Sequence, residues 1–275
     1  MENQEKRENK DSGGTLFYLY CISDKKPDFE GAPDSDKLYT FEFKSFYPVL
    51  KCVSQDDFGR ENIEKNINSI PWLEKYVRMH EAVIENVMLK GFTVIPFKFA
   101  TVFYSKGTLS SFLEEYSQVL KSSLSELKNK EEWGIKIYCN NEKIENFIRT
   151  TNQQVIDFNN QILNATQGKA YFMKKKQQEL IGKLVKDKAL DYSDECYLYL
   201  KELAGNSKKN KLQPKELTFK DHEMVMNLVF LLDKSSVSNF SNAVSTLKSK
   251  YENSGLIIDI TGPWAPYNFC KIGEL

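Results

Sequence analysis

Met224–Leu232 reads MVMNLVFLL, nine residues that are apolar on both faces and interrupted only by Asn227. A strand without a polar face belongs in the middle of a sheet, where both of its surfaces are covered. Just before it, Leu217–Lys220 reads as a strand joined to it by a short turn. Residues 205–214 (GNSKKNKLQP) read as the loop before that. Downstream, Val237, Phe240, Val244, Leu247 and Tyr251 recur every three or four residues, which predicts a helix with one apolar face. Leu256–Thr261 (LIIDIT) is the last strand, and Gly262-Pro263 stops it. Upstream, Trp133–Cys139 (WGIKIYC) opens the series as a strand, and residues 141–204 are polar, Lys-rich and mostly helical. The order is β-α-β-β-α-β, the split βαβ arrangement of a ferredoxin-like domain. Its first helix is expanded into a helical insertion over 141–215.

The other half of the chain can be read on the same plan. Leu16–Ile22 (LFYLYCI) is a strand by its aromatic and β-branched content. Residues 23–36 form a connection in place of a first helix. Leu38–Phe43 and Phe46–Val53 are strands around the Lys44-Ser45 break. Pro71 opens a helix whose apolar face is Leu73, Tyr76, Val77, His80, Val83, Ile84, Val87 and Met88, closed by Gly91. Phe92–Phe97 is a strand, and a second amphipathic helix covers 108–128. The expected class is α+β, with a polar tail at 1–14 that lacks the apolar content to fold. An N-terminal domain, a modified ferredoxin-like α+β sandwich, follows at 15–130. A C-terminal ferredoxin-like domain covers 131–275.

Composition narrows the function. In 275 residues, 38 Lys and Arg balance 38 Asp and Glu, so there is no general cationic footprint for nucleic acid. The five cysteines are scattered, odd in number and without a CxxC pair, which suits reduced thiols in the cytoplasm. The opening MENQEKRENKDSGG has no apolar core of a signal peptide, and no apolar run approaches the ~20 residues that span a bilayer. A cytoplasmic protein without membrane or nucleic-acid partners is expected.

Catalytic and ligand signatures are absent from the sequence. There is no GxSxG, HExxH, EF-hand loop or glycine-rich phosphate loop, so no catalytic residue, metal or cofactor is expected. Of the two histidines, His80 falls on an apolar helix face and reads as a packed residue; His222 falls in a turn. Residues 169–188 carry seven lysines against Glu179 and Asp187. Lys174, Lys175, Lys176 and Lys183 are either a basic face for an acidic partner or a solvated helix surface. Thr93–Tyr104 and Gly262–Phe269 hold more aromatics than a sheet core requires. Phe97, Lys98, Phe99, Phe103, Trp264, Tyr267 and Phe269 are therefore either packing residues or a preorganised surface for a hydrophobic partner.

Several of these residues also carry a resemblance. Trp72-Leu73, His80-Glu81, the run VIPFKFATVF at 94–103, EWGIK at 132–136 and GPWAPYNF at 262–269 resemble, in order and spacing, the gas vesicle protein F/L family. The likeness runs from Leu16 to Phe269. Relative to that family's usual pattern, Lys98 replaces Arg, Ala100 replaces Gly and Ala265 replaces Pro. Lys98 keeps the charge without the planar fork, and Ala100 argues against a left-handed backbone at that position. The resemblance implies a non-enzymatic accessory or minor component of gas vesicles, located in the cytoplasm with the vesicle. It would assist nucleation or assembly by binding the hydrophobic shell protein, and other vesicle accessory proteins, and would limit shell-protein aggregation. The alternative is a small-molecule-binding or enzymatic ferredoxin-like protein, with His80, Glu81 and Lys98 as its site. Oligomeric state is not readable from the sequence.

Overall fold

The computed structural model describes residues 14–270, in an α+β arrangement with two sheets. Apart from Gly14, the expected tail 1–14 lies outside the described residues. The chain divides into two compact units. One runs to Lys130 and resumes at Ala265; the other is Glu131–Trp264. The C-terminal domain expected over 131–275 therefore ends earlier. Ala265 is buried in the first unit's core and Tyr267 packs against it, so the described part of 265–275 belongs there.

The first unit holds β1 (Thr15–Ser23), β2 (Leu38–Thr40), β3 (Tyr47–Ser54), α1 (Gln55–Phe58), α2 (Arg60–Asn66), α3 (Ile70–Leu89), β4 (Val94–Pro96), β5 (Val102–Phe103), α4 (Lys106–Glu115) and α5 (Ser117–Leu127). Its sheet is ordered β2-β3-β1-β4, with β5 also on β1, and these pairings are antiparallel. Period-two alternation puts Leu16, Tyr18 and Tyr20 on one face of β1. Between Leu19 and Cys21 the register to β3 shifts, a bulge that lets Cys21 join the same buried cluster. Helix α3 lays His80, Val83, Ile84 and Val87 on this cluster, a stripe spaced three and four apart. Pro71 sits in its first turn, where no amide bond is lost.

Several expected boundaries move. Leu38–Thr40 is shorter than the expected 38–43, although Phe43 and Phe46 still bridge across Lys44 and Ser45, both with positive φ. The helix expected over 108–128 is two helices, α4 and α5, parted at Tyr116. Ser105 starts α4 with a capping box to Thr108. Short α1 and α2 were not expected. They begin at Ser54, whose side chain accepts the Asp57 amide.

The second unit holds most of β6 (Lys130–Cys139), then α6 (Asn141–Thr151), α7 (Gln153–Leu163), α8 (Gln167–Glu202), β7 (Asn206–Lys209), α9 (Lys215–Thr218), β8 (Glu223–Asp233), α10 (Val237–Tyr251) and β9 (Leu256–Trp264). The sheet order is β7-β8-β6-β9. Strand β8 is interior, as its two apolar faces require, and Met226, Leu228, Phe230 and Leu232 share one of them. These pack with Ile135, Ile137, Phe240, Val244, Leu247 and Ile258. Two expectations fail beside it. Leu217–Lys220 is not a strand; Pro214 opens the single turn α9, and Phe219 ends it in the left-handed region. The expected loop at 205–214 contains the edge strand β7 instead, whose NSKK sequence has no apolar alternation to announce it. Strand β9 also continues past Thr261, through a cis Gly262-Pro263 bond, to Trp264.

The insertion is a helical hairpin followed by the long α8. Asn140 and Asn152 cap α6 and α7 by accepting the amides of Lys143 and Val155. In α8 the buried positions are Gln177, Ile181, Val185, Ala189, Ser193, Cys196 and Leu200, a narrow stripe of mostly four-residue steps.

Candidate functional site

Four distant segments meet inside the first unit: Tyr18 on β1, His80-Glu81 on α3, Phe97–Ala100 after β4, and Tyr267. The Ala100 amide donates to the Tyr18 hydroxyl at 2.9 Å. The Tyr18 proton is thereby directed to His80 Nδ1, 2.9 Å away. That leaves the ring proton on Nε2, which faces the Phe97 carbonyl at 3.0 Å and the Tyr267 hydroxyl at 3.1 Å. The Tyr267 hydroxyl donates in turn to Oε1 of the exposed Glu81 at 3.1 Å. Each group fills one place in a single directional chain, which is how a buried polar network becomes stabilising. Tyr20 stacks on His80 with ring centres 5.5 Å apart, and Phe99 meets it edge-on at 5.9 Å.

The electrostatics follow from burial. His80 is 1% exposed. Desolvation pulls its pKa down to about 4, against the opposing effect of the Phe97 carbonyl, so the ring is neutral near pH 7. Desolvation also raises the Tyr18 and Tyr267 phenols well above their ordinary value. The Glu81 carboxyl is raised by desolvation and by Glu85, and lowered by its bond from Tyr267. A general acid or base works best near the ambient pH; these phenols and this imidazole are moved away from it. The cavity beside the network, between Tyr18, Tyr20, Phe58, Tyr76 and Met79, is about 10 Å³, room for one water and no substrate. The network is a clamp that ties the C-terminal segment to α3 and β1.

The expected site residues fall into separate places. Phe97 is buried, Phe99 lies half-buried against the first unit's core, and Phe103 packs on Phe112. Lys98 is exposed. Tyr267 is in the clamp, and Phe269 is half-buried. Trp264 belongs to the second unit and is 52% exposed, the most open aromatic of the expected set. Its indole donates to Thr261 Oγ1 at 3.1 Å above Gly134, where an added Cβ would lie 2.8 Å from that oxygen. The EWGIK run thus needs glycine at 134 so that β6 can pass under the Thr261–Trp264 pair. Ala100 overturns one expectation, since its φ is +64°. The alanine adopts the left-handed backbone that a glycine would adopt without strain, and this aims its amide at Tyr18.

Lys174, Lys175, Lys176 and Lys183 are exposed on α8, but they do not form one face. At roughly 100° per residue, three successive lysines point in three directions. Only Lys176 and Lys183 align, seven residues apart, and Lys169 extends their row by another seven. His222 lies half-buried in the turn before β8. Among the described residues, no group of three His, Cys, Asp or Glu could hold a metal ion, and no helix is long and apolar enough to cross a membrane. Tyr18 was not singled out from sequence. Its signal is the alternation of Tyr18 and Tyr20 in β1, hydroxyl-bearing rings on the face that meets His80.

Comparison with known proteins closes on one family. The model of a family described as gas vesicle synthesis protein GvpL/GvpF matches residues 16–271. Gas vesicle protein F of Haloferax mediterranei is 22% identical over 262 residues, covering 93% of each chain. Gas vesicle protein L of a Streptomyces species is 23% identical over 230 residues, covering 82% of this chain and 80% of that one. The crystal structure of GvpF from an Anabaena species superposes with a TM-score of 0.70 at 20% identity, covering 94% of this chain and 99% of the other. That of GvpF from Microcystis aeruginosa gives 0.66 at 20% identity, covering 93% and 99%.

Proposed function

The chain belongs to the gas vesicle synthesis protein GvpL/GvpF family, and from that premise we propose that it is a non-enzymatic assembly factor that binds the hydrophobic gas vesicle shell protein and limits its aggregation before assembly. The observation that carries this reading is a family match spanning 16–271, which includes every motif singled out in the sequence. The use made of those motifs supports it. His80 takes part in a hydrogen-bond chain that ends on the exposed Glu81 carboxylate, beside a cavity of about 10 Å³. This weakens the alternative of a small-molecule or enzymatic site around His80, Glu81 and Lys98. Trp264 and Tyr104, 52% and 53% exposed, offer aromatic surface for an apolar partner.

A subunit that exposes apolar segments before it assembles is an aggregation hazard, and transient cover by a folded partner reduces it. The reading includes the cytoplasm as the place of action and other vesicle accessory proteins as further partners. It also includes a ferredoxin-like plan for both units. The orders β4-β1-β3-β2 and β9-β6-β8-β7 support that plan, since each places the fourth, first, third and second main strands in sequence across a sheet. Co-expression of the shell protein with and without this chain tests the function. The chain is expected to raise the soluble yield of the shell protein and to co-purify with it. Unchanged yield with no co-purification would remove the proposal.

A further inference from the structure

The start of α8 projects a charged surface that the assembly reading does not use. No residue of α8 before Gln177 is buried. Lys169, Lys176 and Lys183 stand seven residues apart, so they form one row with a spacing of about 10.5 Å, two helical turns. Phe172, 67% exposed, lies between the first two on nearly the same side. None of the three lysines takes part in an ion pair within the described chain. Alongside the row, the end of α7 and the start of α8 bound an open groove of about 350 Å³, lined by Asn160, Gln161, Asn164, Ala165, Lys169 and Met173. The Asn160 and Gln161 carboxamides have no partner among the described residues, so both donors and acceptors are available.

We infer that the α7–α8 tip docks an acidic amphipathic helix of a partner protein as a third helix. Carboxylates at i and i+7 of that helix would pair with the lysine row, and an apolar residue between them would cover Phe172 and Met173. The spacing selects this class of partner. Carboxylates seven apart on a helix repeat at the same two-turn interval as the lysines. A single exposed phenylalanine on the row is less than the continuous apolar face that an interfacial membrane helix needs. The row also lacks the series of aromatic platforms on which single-stranded nucleic acid stacks. Charge complementarity supplies the attraction in a chain whose overall charge is zero.

The test uses the full-length protein and a fluorescent, Ala-based helical peptide with Glu at every seventh position and Leu midway between. Binding is followed by anisotropy at low and high salt. The peptide is expected to bind at low salt and weaken as salt rises. The double variant Lys169→Glu with Lys176→Glu should weaken binding about tenfold or more, and Phe172→Ala should weaken it less. Lys174→Glu with Lys175→Glu changes the net charge equally but leaves the row intact, so it should cost no more than about threefold. All these positions are exposed, and unchanged melting of each variant checks folding. Three results would overturn the inference: no peptide binding, equal losses from the two double variants, or equal or tighter binding of a thymidine oligonucleotide or of phosphatidylserine-containing vesicles. The assay contains no shell protein, so its failure leaves the assembly proposal standing, and the reverse holds too.

Discussion

Around β1 and α3 the first unit sets a run of touching aromatic rings and buried polar groups into an otherwise aliphatic core, whereas the second unit packs mainly aliphatic residues under β6, β8 and β9. Tyr18, Tyr20, Phe58, Trp72, Tyr76, His80 and Phe99 form a chain of ring contacts and hydrogen bonds in the first. Ile135, Ile137, Leu228, Leu232, Val244, Leu247 and Ile258 fill the second, with Phe230 against Phe240. An aliphatic core asks for volume and periodicity. A polar aromatic core asks for particular partners, because a buried hydroxyl or ring nitrogen costs free energy without one, as Trp72 Nε1 does among the described residues. The difference shows in His80-Glu81, Phe97–Ala100 and Tyr267, which are joined by hydrogen bonds and ring contacts within the first unit.

The largest effect that would test this contrast is in the aliphatic core. Phe230→Ala should lower the stability of the second unit by about 3–5 kcal/mol, read by denaturant unfolding. A loss below about 1 kcal/mol would mean the site collapses freely and the core is not closely packed.

The next effect belongs to the first unit and depends on pH. His80 has a folded pKa of about 4, below its ordinary 6.5. The unfolded chain therefore binds a proton first as pH falls. The contribution is fully present above pH 6.5 and is lost progressively as pH falls toward 4, for a total of about 3 kcal/mol. Glu81, whose carboxyl is raised, titrates in the same network, so the useful quantity is the difference between wild type and His80→Gln. The variant should show a shallower pH dependence in that window; identical slopes would mean that His80 is not buried and neutral.

Smaller effects sharpen the picture. Tyr267→Phe removes one link of the clamp and should cost about 1 kcal/mol in unfolding experiments, while an apolar contact at that position would give no change. Ala100→Gly should act in the opposite direction. It relieves a left-handed alanine and should stabilise the first unit by about 0.5–1 kcal/mol, whereas destabilisation would show that the methyl group contributes more than the strain costs.

The same contrast governs what could be read from the chain itself. The strands at 133–139, 224–232 and 256–261 and the helix at 237–251 were legible because alternating or helical apolar spacing is a local signal. β7 was not, since its NSKK sequence is polar and its pairing with β8 is decided by neighbours in space. Leu217–Lys220 misled for the same reason: its apolar content suggested a strand, and Pro214 made a helical turn. In the first unit the motif residues were legible, but their connection was not. Nothing local tells that Tyr18 and Tyr267, 249 residues apart (267 − 18), bond the same imidazole. The lysines were legible as a run, while their division into an aligned row and two residues pointing elsewhere follows only once the helix is in place.

This chain is proposed to work by holding the vesicle shell protein. The most direct measurement is the amount of shell protein that co-purifies with wild type and with Trp264→Ala, at matched melting temperature. Trp264 is half-exposed, so truncation should report on contact more than on folding. The wild type is expected to carry the shell protein into the soluble fraction, and the variant to carry less of it. Shell protein that stays insoluble and unbound with both would contradict it.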